Sequence, residues 1–351
     1  MRKSLYDISW QVSEYAYRMN SGISYSTISR FHREGFDNLD KLFDKIETPS
    51  LTFGSAVDSL ITGGEEEFNE RFIVADFPSC PEAIVKIVEY LHDADYVNLE
   101  DIPDSEIISA TELFKYQLNW KPETRAKVIK EKGSEYYKLM HIREDKSIID
   151  SATYKDIMAT VDALRSSEST SWYFEKDNPF DTRYERFYQL KFKSSYNGIP
   201  IRCMADLIIV DHEAKEIIPV DLKTSSKPEW SFFKSFIDWC YYMQANLYHK
   251  IIEDNIKNDD YFKDFVIKPY RFIVVNRKTL CPLVWEYNSS HLEGDIVIED
   301  VLLKDWRKVL TDLNYYLTLK PLVPKGINEY SKINNIETWI ANECKEKKWK
   351  H

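Results

Sequence analysis

The chain has 351 residues, 43% of them hydrophobic, with only 9 glycines and 13 prolines, a composition that is typical of folded globular proteins and excludes a disordered chain. The formal net charge of −11 argues against broad, non-specific adhesion to nucleic acid. No apolar run is long enough to cross a bilayer, and the first residues lack the apolar core of a signal peptide. We therefore expect a soluble, cytoplasmic protein without membrane contact.

Cysteine and histidine are scattered along the sequence. The five cysteines include no C-x-x-C pair, and the seven histidines form neither an H-x-H nor an H-E-x-x-H signature. A zinc site, an iron–sulfur cluster and a disulfide framework are therefore not expected.

The N-terminal part predicts two helices. Residues 21–36 start with small hydroxyl side chains and pass into a helix around Ser26–Arg33. A short apolar helix from Phe53 to Thr62 follows and ends at a glycine pair. Asp58 lies on this second helix. It is either an exposed residue near the helix N-terminus or a buried carboxylate that needs a partner such as a metal ion.

Residues 65–171 are rich in charge and in helix-forming residues. Apolar side chains recur there at spacings of three and four, as in Ile84, Ile87, Val88 and Leu91, which predicts several amphipathic helices. No fixed repeat period is present. We expect a helical subdomain inserted between the first helices and a sheet.

Strands are predicted from about Asp181 onward. Asn197-Gly198 is typical of a two-residue hairpin turn. Two β-branched runs then follow, Ile199–Val210 and Glu216–Leu222, and the short polar segment between them predicts a second hairpin.

The second hairpin brings charged residues together. If Val210 pairs with Ile217, the same register sets Asp206 directly opposite Asp221. Opposed like charges destabilise a strand pair unless something compensates them, and a divalent cation is the obvious candidate. Lys223 lies on the same strand face as Asp221, because side chains alternate with a period of two.

A carboxylate on one strand and D-x-K on the next have a definite chemical use. Hard oxygen ligands suit Mg²⁺ or Mn²⁺, which hold a scissile phosphate and lower the pKa of an attacking water. Lys223 could orient or deprotonate that water, or neutralise charge on the phosphoryl oxygens. The alternative is a surface hairpin on which Lys223 forms a salt bridge with either aspartate.

Further polar residues are candidates for the same site. Glu185 or Gln189 on the preceding strand could add an oxygen, and an exposed cross-strand role is the alternative for both. A long helix is predicted over Trp230–Asn255, where Gln244 and Tyr248 lie one turn apart and share a face. The aromatic residues of this helix are typical of a helix face that packs in the core.

The C-terminal part continues the sheet. The segments Tyr270–Val275 and Pro282–Tyr287 predict strands, and a closing helix is expected around Leu303–Leu317. The tail from Pro321 to His351 ends in a basic run that is either flexible or in contact with DNA.

Basic residues surround the predicted hairpins in spite of the acidic total. They form either a solvated face or a local groove for a phosphate backbone, which would bind with salt-sensitive affinity. The residues concerned are Arg183, Arg186, Lys191, Lys193, Arg202, Lys223, Lys227 and Lys234.

In their order along the chain, five stretches resemble the PD-(D/E)XK nuclease superfamily, and more closely the RecB-type and RecE-like exonucleases of bacteria and phages. The stretches are ISYSTISRF, LTFGSAVDSL, MADLIIV, VDLKTS and QANLY. The resemblance implies an α/β fold with a restriction-endonuclease-like core, a mixed central sheet flanked by helices, and an inserted helical subdomain. The expected division is 1–64 for the N-terminal helices and first motif, 65–175 for the helical insertion, 176–320 for the core sheet and helices, and 321–351 for the tail.

The resemblance also implies roles for residues. Asp206 and Asp221 correspond to the metal-binding acidic pair, Lys223 to the catalytic lysine, and Gln244 and Tyr248 to a helix motif that supports the site and contacts DNA.

The sequence departs from the family pattern at two positions. Asp58 stands where relatives carry a histidine, and an aspartate can still bind Mg²⁺. Gln189 stands about where a glutamate is expected, and Glu185 is the candidate to substitute for it.

We expect from this resemblance an exodeoxyribonuclease that depends on Mg²⁺, with Mn²⁺ as a substitute, and that acts on double-stranded DNA ends in phage or prophage recombination. A single-strand annealing protein is the expected partner in the bacterial cytoplasm, and a homo-oligomer is left open. One alternative is a nuclease fold that binds DNA or a partner without cutting it. The other is an endonuclease of a defence system.

Overall fold

The strand-forming half of the sequence builds one mixed sheet with helices on both faces, in a computed structural model of the chain. The residues described are 2–35, 39, 41–44, 46–92, 96–143, 146–176, 182–289, 294–298 and 300–319. The strands are β1 (Phe72–Val74), β2 (Ser147–Ile149), β3 (Tyr184–Tyr196), β4 (Ile199–Asp211), β5 (Glu216–Ser225), β6 (Val266–Ile267), β7 (Tyr270–Asn276), β8 (Leu283–Tyr287), β9 (Ile296–Ile298) and β10 (Val301–Leu303). The helices are α1 (Glu14–Met19), α2 (Tyr25–Glu34), α3 (Pro49–Thr62), α4 (Gly64–Arg71), α5 (Glu82–His92), α6 (Asp104–Leu113), α7 (Pro122–Arg143), α8 (Ser151–Ser166), α9 (Phe232–Asp238), α10 (Tyr241–Lys257) and α11 (Trp306–Leu319).

The central sheet runs in the order β3-β4-β5-β7-β8, with β6 paired to β5. The β3-β4, β4-β5 and β7-β8 pairs are antiparallel, whereas β5 and β7 are parallel. Asn197 and Gly198 form the predicted hairpin turn, and both have positive φ, 50° and 78°, as a type I′ turn requires. Val210 pairs with Ile217, which confirms the predicted register of the second hairpin.

Both faces of the sheet are covered, which explains why the centre of β4 is apolar at successive positions. Ile208 and Val210 belong to a core cluster with α2, α10 and α11. Leu207 and Ile209 belong to a second cluster with α3, α4 and α8. The strands therefore bury alternate residues against different helices.

The side chains of β4 alternate between the two faces of the sheet, and this alternation shifts by one residue at Asp206. Ala205 and Ile208 belong to the cluster with α10, whereas Leu207 belongs to the cluster with α3. In a regular strand, Ala205 and Leu207 would share a face. On β3, Gln189 lies opposite Asp206 in the register and has a φ of +52°. A left-handed conformation costs a residue other than glycine about 1 kcal/mol, so this irregularity is a strained point of the sheet.

The helical subdomain is narrower than the predicted insertion of 65–175. A separate core cluster, from Ile84 to Met140, joins α5, α6 and α7. By contrast, α4 and α8 contribute Phe68, Ile157 and Val161 to the cluster that covers the sheet. Strands β1 and β2 pair in parallel where the chain enters and leaves the subdomain.

The prediction of a single long helix over Trp230–Asn255 is wrong. A 3₁₀ turn at Glu229–Ser231 leads into α9, and Cys240 has a left-handed φ of 59° between α9 and α10. An α-helix cannot continue through a left-handed residue, so the chain turns there. The sequence showed no glycine or proline that would indicate this break.

The other C-terminal elements agree with the prediction. The predicted strands correspond to β7 and β8, and the predicted closing helix to α11. The tail from Pro321 to His351 lies outside the described residues. Within the described part of the chain, no helix combines the length and the apolar character that crossing a membrane requires.

Gly54 allows α3 to pack closely on β5. A Cβ atom at this position would lie 2.9 Å from the Thr224 Oγ1 atom. Thr224 is the residue after Lys223, and Asp58 lies one helical turn after Gly54. The missing side chain therefore sets the distance between the helix that carries Asp58 and the strand that carries Asp221.

We expect Gly54→Ala to destabilise the protein. The added methyl group would crowd Thr224 at a cost of about 1–3 kcal/mol, which outweighs a helix-propensity gain of about 1 kcal/mol. In a Thr224→Ala background the same substitution should instead stabilise, because the crowded oxygen is gone. Urea unfolding of the four proteins measures both effects. A loss of the same size in both backgrounds would contradict this account of the packing.

Candidate functional site

Asp206 interrupts the pairing of β4 with β5. The backbone ladder between these strands ends at Leu207 and Val220, and the next positions in the same register are Asp206 and Asp221. At that point the Asp206 Oδ2 atom accepts a hydrogen bond of 2.9 Å from the backbone N–H of Leu222. A carboxylate thus takes the place of a backbone acceptor, and the second carboxylate lies on the adjoining strand.

Asp221 is almost completely buried, with 1% of its surface exposed. Its Oδ1 atom accepts a hydrogen bond from the Gln244 amide of α10, and its Oδ2 atom lies 2.7 Å from the Lys223 Nζ atom. A buried carboxylate needs such partners, because an unpaired charge is costly away from water. Gln244 and Lys223 therefore hold Asp221 in one orientation.

Lys223 remains a cation in this arrangement. Burial acts to lower the pKa of its ammonium group, but the charges of Asp221, Tyr241 and Asp206 raise it above the usual range. The Nζ atom also lies 4.6 Å from the centre of the Tyr241 ring, in a cation–π contact. A lysine with a raised pKa is a poor base at neutral pH and a good partner for an anionic oxygen.

Asp58 and Gln189 contact each other. The Gln189 Nε2 atom donates a hydrogen bond of 2.7 Å to the Asp58 Oδ2 atom. The Asp58 Oδ1 atom is buried and accepts no hydrogen bond from the described residues. Asp58 and Gln189 are therefore direct partners, with a carboxylate on α3 and a neutral amide on β3.

The carboxylates of this cluster are electrostatically linked. Burial, together with the nearby charges of Glu67 and Asp221, raises the pKa of Asp58 to about 7, although Arg71 opposes the shift. Burial and the charges of Asp221 and Asp58 raise the pKa of Asp206 well above its usual range. Like charges in low dielectric disfavour ionisation, so a bound cation would stabilise all three carboxylates in the charged form.

The oxygen donors fit a small, hard cation. Among the described residues, no group of three or more histidine, cysteine, aspartate or glutamate side chains could itself hold a metal ion. Mg²⁺ does not require such a group, because it binds through one or two carboxylates together with water and substrate phosphates. Asp206 and Asp221, on adjoining strands, offer two carboxylates of that class.

One small cavity adjoins the carboxylates, and a larger cleft adjoins that cavity. A cavity of about 10 Å³ is lined by Asp58 and Asp206, and this volume is close to that of one water molecule. A larger cleft of about 670 Å³ lies beside it and carries three basic residues, Arg165, Lys176 and Arg186. The two cavities share four of their lining residues, Ile61, Thr62, Phe174 and Tyr188.

Two predicted site residues lie away from this cluster. Glu185 pairs with Val210, and its carboxylate contacts Ser4, Arg2 and His212. It lies four residues before Gln189 along β3, so the register excludes it as a substitute ligand beside Asp206.

Tyr248 is 7% exposed and packs edge-on against Tyr270, so it belongs to the core under the site. Of the two predicted residues of α10, Gln244 is therefore the one that directly contacts a carboxylate, through its bond to Asp221.

Sequence reasoning missed Tyr241 and the basic cleft. Tyr241 lies three residues before Gln244, and this spacing on a helix could have indicated a shared face. Arg165 comes from α8 and Lys176 from the segment after it. Only the packing of α8 on the sheet brings these residues near Asp206, so no local pattern could have revealed the cleft.

The comparisons with known proteins give little beyond this geometry. No protein-family model matches the chain, and no curated protein matches it. Among solved structures, the chain is similar to the crystal structure of a "Putative exonuclease" from Eubacterium rectale. The TM-score is 0.40 and the sequence identity 12%, over 89% of this chain and 84% of that chain. Similarity at this level carries no argument, so a functional proposal depends on the site itself.

The contact between Asp58 and Gln189 can be tested by exchanging donor and acceptor. Gln189→Glu should destabilise the metal-free protein at a pH above the pKa of Asp58, because two carboxylates would then face each other. Adding Asp58→Asn should restore much of the loss, since one charge and one hydrogen bond remain. We expect a coupling energy of about 0.5–3 kcal/mol in denaturant unfolding. Additive effects would show that the two residues do not interact.

Proposed function

We propose that this protein is a metal-dependent deoxyribonuclease that hydrolyses phosphodiester bonds. The observation that carries the proposal is the convergence of Asp206, Asp221 and Lys223 at the point where β4 and β5 separate. Two carboxylates beside a fixed cation form a site that can hold a divalent metal ion and an anionic substrate together. A surface salt bridge would not require Asp221 to be buried.

Different residues of the site would contact the metal ion and support its ligands. Asp206 and Asp221 would hold Mg²⁺, with Mn²⁺ as a substitute, and Asp58 is the adjacent carboxylate with an unpartnered oxygen. When bound, the ion would supply Lewis acidity at a phosphoryl oxygen and would lower the pKa of a nearby water. Gln244 supports this arrangement, because it fixes the carboxylate of Asp221.

Lys223 would act through its charge. Its raised pKa suits a role in binding a phosphoryl oxygen or orienting the attacking water, and disfavours a role as general base. A cation at this point would stabilise the charge that grows on the phosphate during hydrolysis. Tyr241 limits the movement of the ammonium group, because its ring lies against it.

The large cleft beside Asp58 is suited to a nucleic acid strand. Its lining includes Arg165, Lys176 and Arg186, of which Arg186 pairs with Glu175, the one acidic residue among the lining residues that the structure describes. Phosphate contacts of this kind position a strand without reading its sequence. A strand in the cleft would lie next to the small cavity that Asp58 and Asp206 line.

The sequence motifs lead to a finer proposal. The order of the five stretches supports a PD-(D/E)XK nuclease, of RecE-like type, that degrades linear double-stranded DNA from its ends. In this setting the enzyme would work in phage or prophage recombination in a bacterial cytoplasm, beside a single-strand annealing protein. A homo-oligomer that encloses the DNA is compatible with this role.

A second candidate is a nuclease fold that binds DNA without cutting it. The specific observation in its favour is that Asp58 engages Gln189, so the cluster uses one of its carboxylates for an internal contact. The two candidates differ in one respect only, the hydrolysis of the strand. A third candidate, an endonuclease, shares the hydrolytic residues and differs in its ability to cut closed circles.

Cleavage of DNA with labelled ends tests the proposal. We expect the parent protein with Mg²⁺ or Mn²⁺ to degrade linear duplex and to leave covalently closed circles intact. Asp221→Asn and Lys223→Gln should each lower the rate by roughly 100-fold or more, since each removes a charged group from the reacting centre. Asp260→Asn is the matched control, because the Asp260 side chain is 98% exposed.

Each outcome of this assay discriminates between the candidates. Degradation of closed circles would favour the endonuclease. A parent protein that binds duplex but leaves all substrates intact with both metals would favour the binding protein. Equal rates in the parent and in Asp221→Asn would contradict the assignment of the site.

A further inference from the structure

Large aromatic side chains are exposed on the segment that follows the lysine strand. Trp230 is 65% exposed, Phe233 55% and Trp239 47%. We call these three exposed residues, which lie along the segment from the 3₁₀ turn to the end of α9, the aromatic surface. Trp230 and Phe233 lie three positions apart, where the 3₁₀ turn at Glu229–Ser231 runs into α9, so they share a face. Exposed rings of this size are unfavourable in water and are typical of binding surfaces.

The backbone of the aromatic surface is held firmly. Glu229 is completely buried, and its carboxylate accepts hydrogen bonds from the backbone N–H of Asn276 and the hydroxyl of Thr279. At the other end, the Tyr25 hydroxyl of α2 donates to the carbonyl oxygen of Trp239 at 2.6 Å. The rings are therefore exposed on an anchored segment and are not exposed by fraying.

Basic residues accompany the rings. The guanidinium carbon of Arg33 lies 4.5 Å from the centre of the Trp239 ring, and Lys234 is exposed on α9. Lys227 and Asp238 form an ion pair of 3.7 Å, so the nearby acidic residue has a positive partner. Aromatic rings interleaved with positive groups match a strand of unpaired nucleotides, whose bases stack and whose phosphates are anionic.

The segment that carries the exposed rings is packed against the proposed hydrolytic site through its buried side. Phe232, the residue before Phe233, stacks on Tyr241 with a centroid distance of 5.7 Å and an interplanar angle of 14°. Tyr241 in turn contacts the ammonium group of Lys223. Phe232 and Tyr241 thus connect the backbone of α9 to the cation at the site.

We propose that the aromatic surface is a stacking platform for unpaired bases of the nucleic acid strand that is bound at the site. The substrate would then be a DNA end with a single-stranded segment, whose bases stack on Trp230, Phe233 and Trp239 while its phosphates contact Arg33 and Lys234. The location beside Lys223 rests on the proposed nuclease function, whereas the binding of bases can be measured without hydrolysis. A second copy of the chain fits less well, because two chains that each carry a net charge of −11 repel each other.

The test compares two probes in the presence of EDTA, where hydrolysis does not interfere. One probe is a labelled thymidine oligonucleotide, and the other is an abasic oligonucleotide of the same length and charge. Fluorescence anisotropy should show that the parent protein prefers the probe with bases. The Trp230→Ala/Trp239→Ala variant should bind the thymidine probe roughly tenfold more weakly or worse, because stacking on two rings is lost. Its affinity for the abasic probe should change little.

Trp120→Ala is the matched control. Trp120 is 38% exposed on the helical subdomain, where it contacts Tyr116, and its removal should leave both affinities unchanged. Circular dichroism and thermal melting would verify that the variants remain folded.

Three results would overturn the proposal: equal binding of both probes by the parent, an unchanged preference in the double variant, or self-association that the double variant abolishes. Preferential binding that the double variant loses would support the platform even if the parent cleaves no DNA. Failure of the nuclease proposal and failure of the platform are therefore distinguishable.

Discussion

The burial of the Asp221 carboxylate is the constraint on which the rest of the site depends. Its charge has to be compensated, and the chain does this with Lys223 from the same strand and Gln244 from α10. These contacts fix α10 against the sheet and hold Lys223 as a cation. Asp206 adds a second carboxylate where the backbone ladder stops, so the strand separation that exposes the site also concentrates its negative charge.

Much of this arrangement could be predicted because it depends on local patterns. The β-branched runs and the turn residues specify the register, and the register alone brings Asp206 opposite Asp221. The break at Cys240 could not be predicted, since its left-handed backbone depends on how α9 and α10 pack. The same holds for the basic cleft, whose residues come together only in the folded chain. Trp239 was expected in an aromatic stripe of the core and is instead 47% exposed.

The contact between Asp58 and Gln189 gives a physical interpretation of these two positions. Together they form one hydrogen bond. The one carboxylate of this pair therefore lies on α3 and not on β3. The strained backbone of Gln189 is consistent with a residue held in position for this contact. A site altered in this way retains the acidic groups that hydrolysis requires.

The central claim is that the opposed carboxylates bind a divalent metal ion. Calorimetric titration of the protein with Mn²⁺, without DNA, tests this claim directly and independently of cleavage. We predict saturable binding by the parent and by Asp260→Asn, and loss of that binding in Asp206→Asn. A parent protein that binds no Mn²⁺, or an Asp206→Asn variant that binds it as tightly as the parent, would contradict the account.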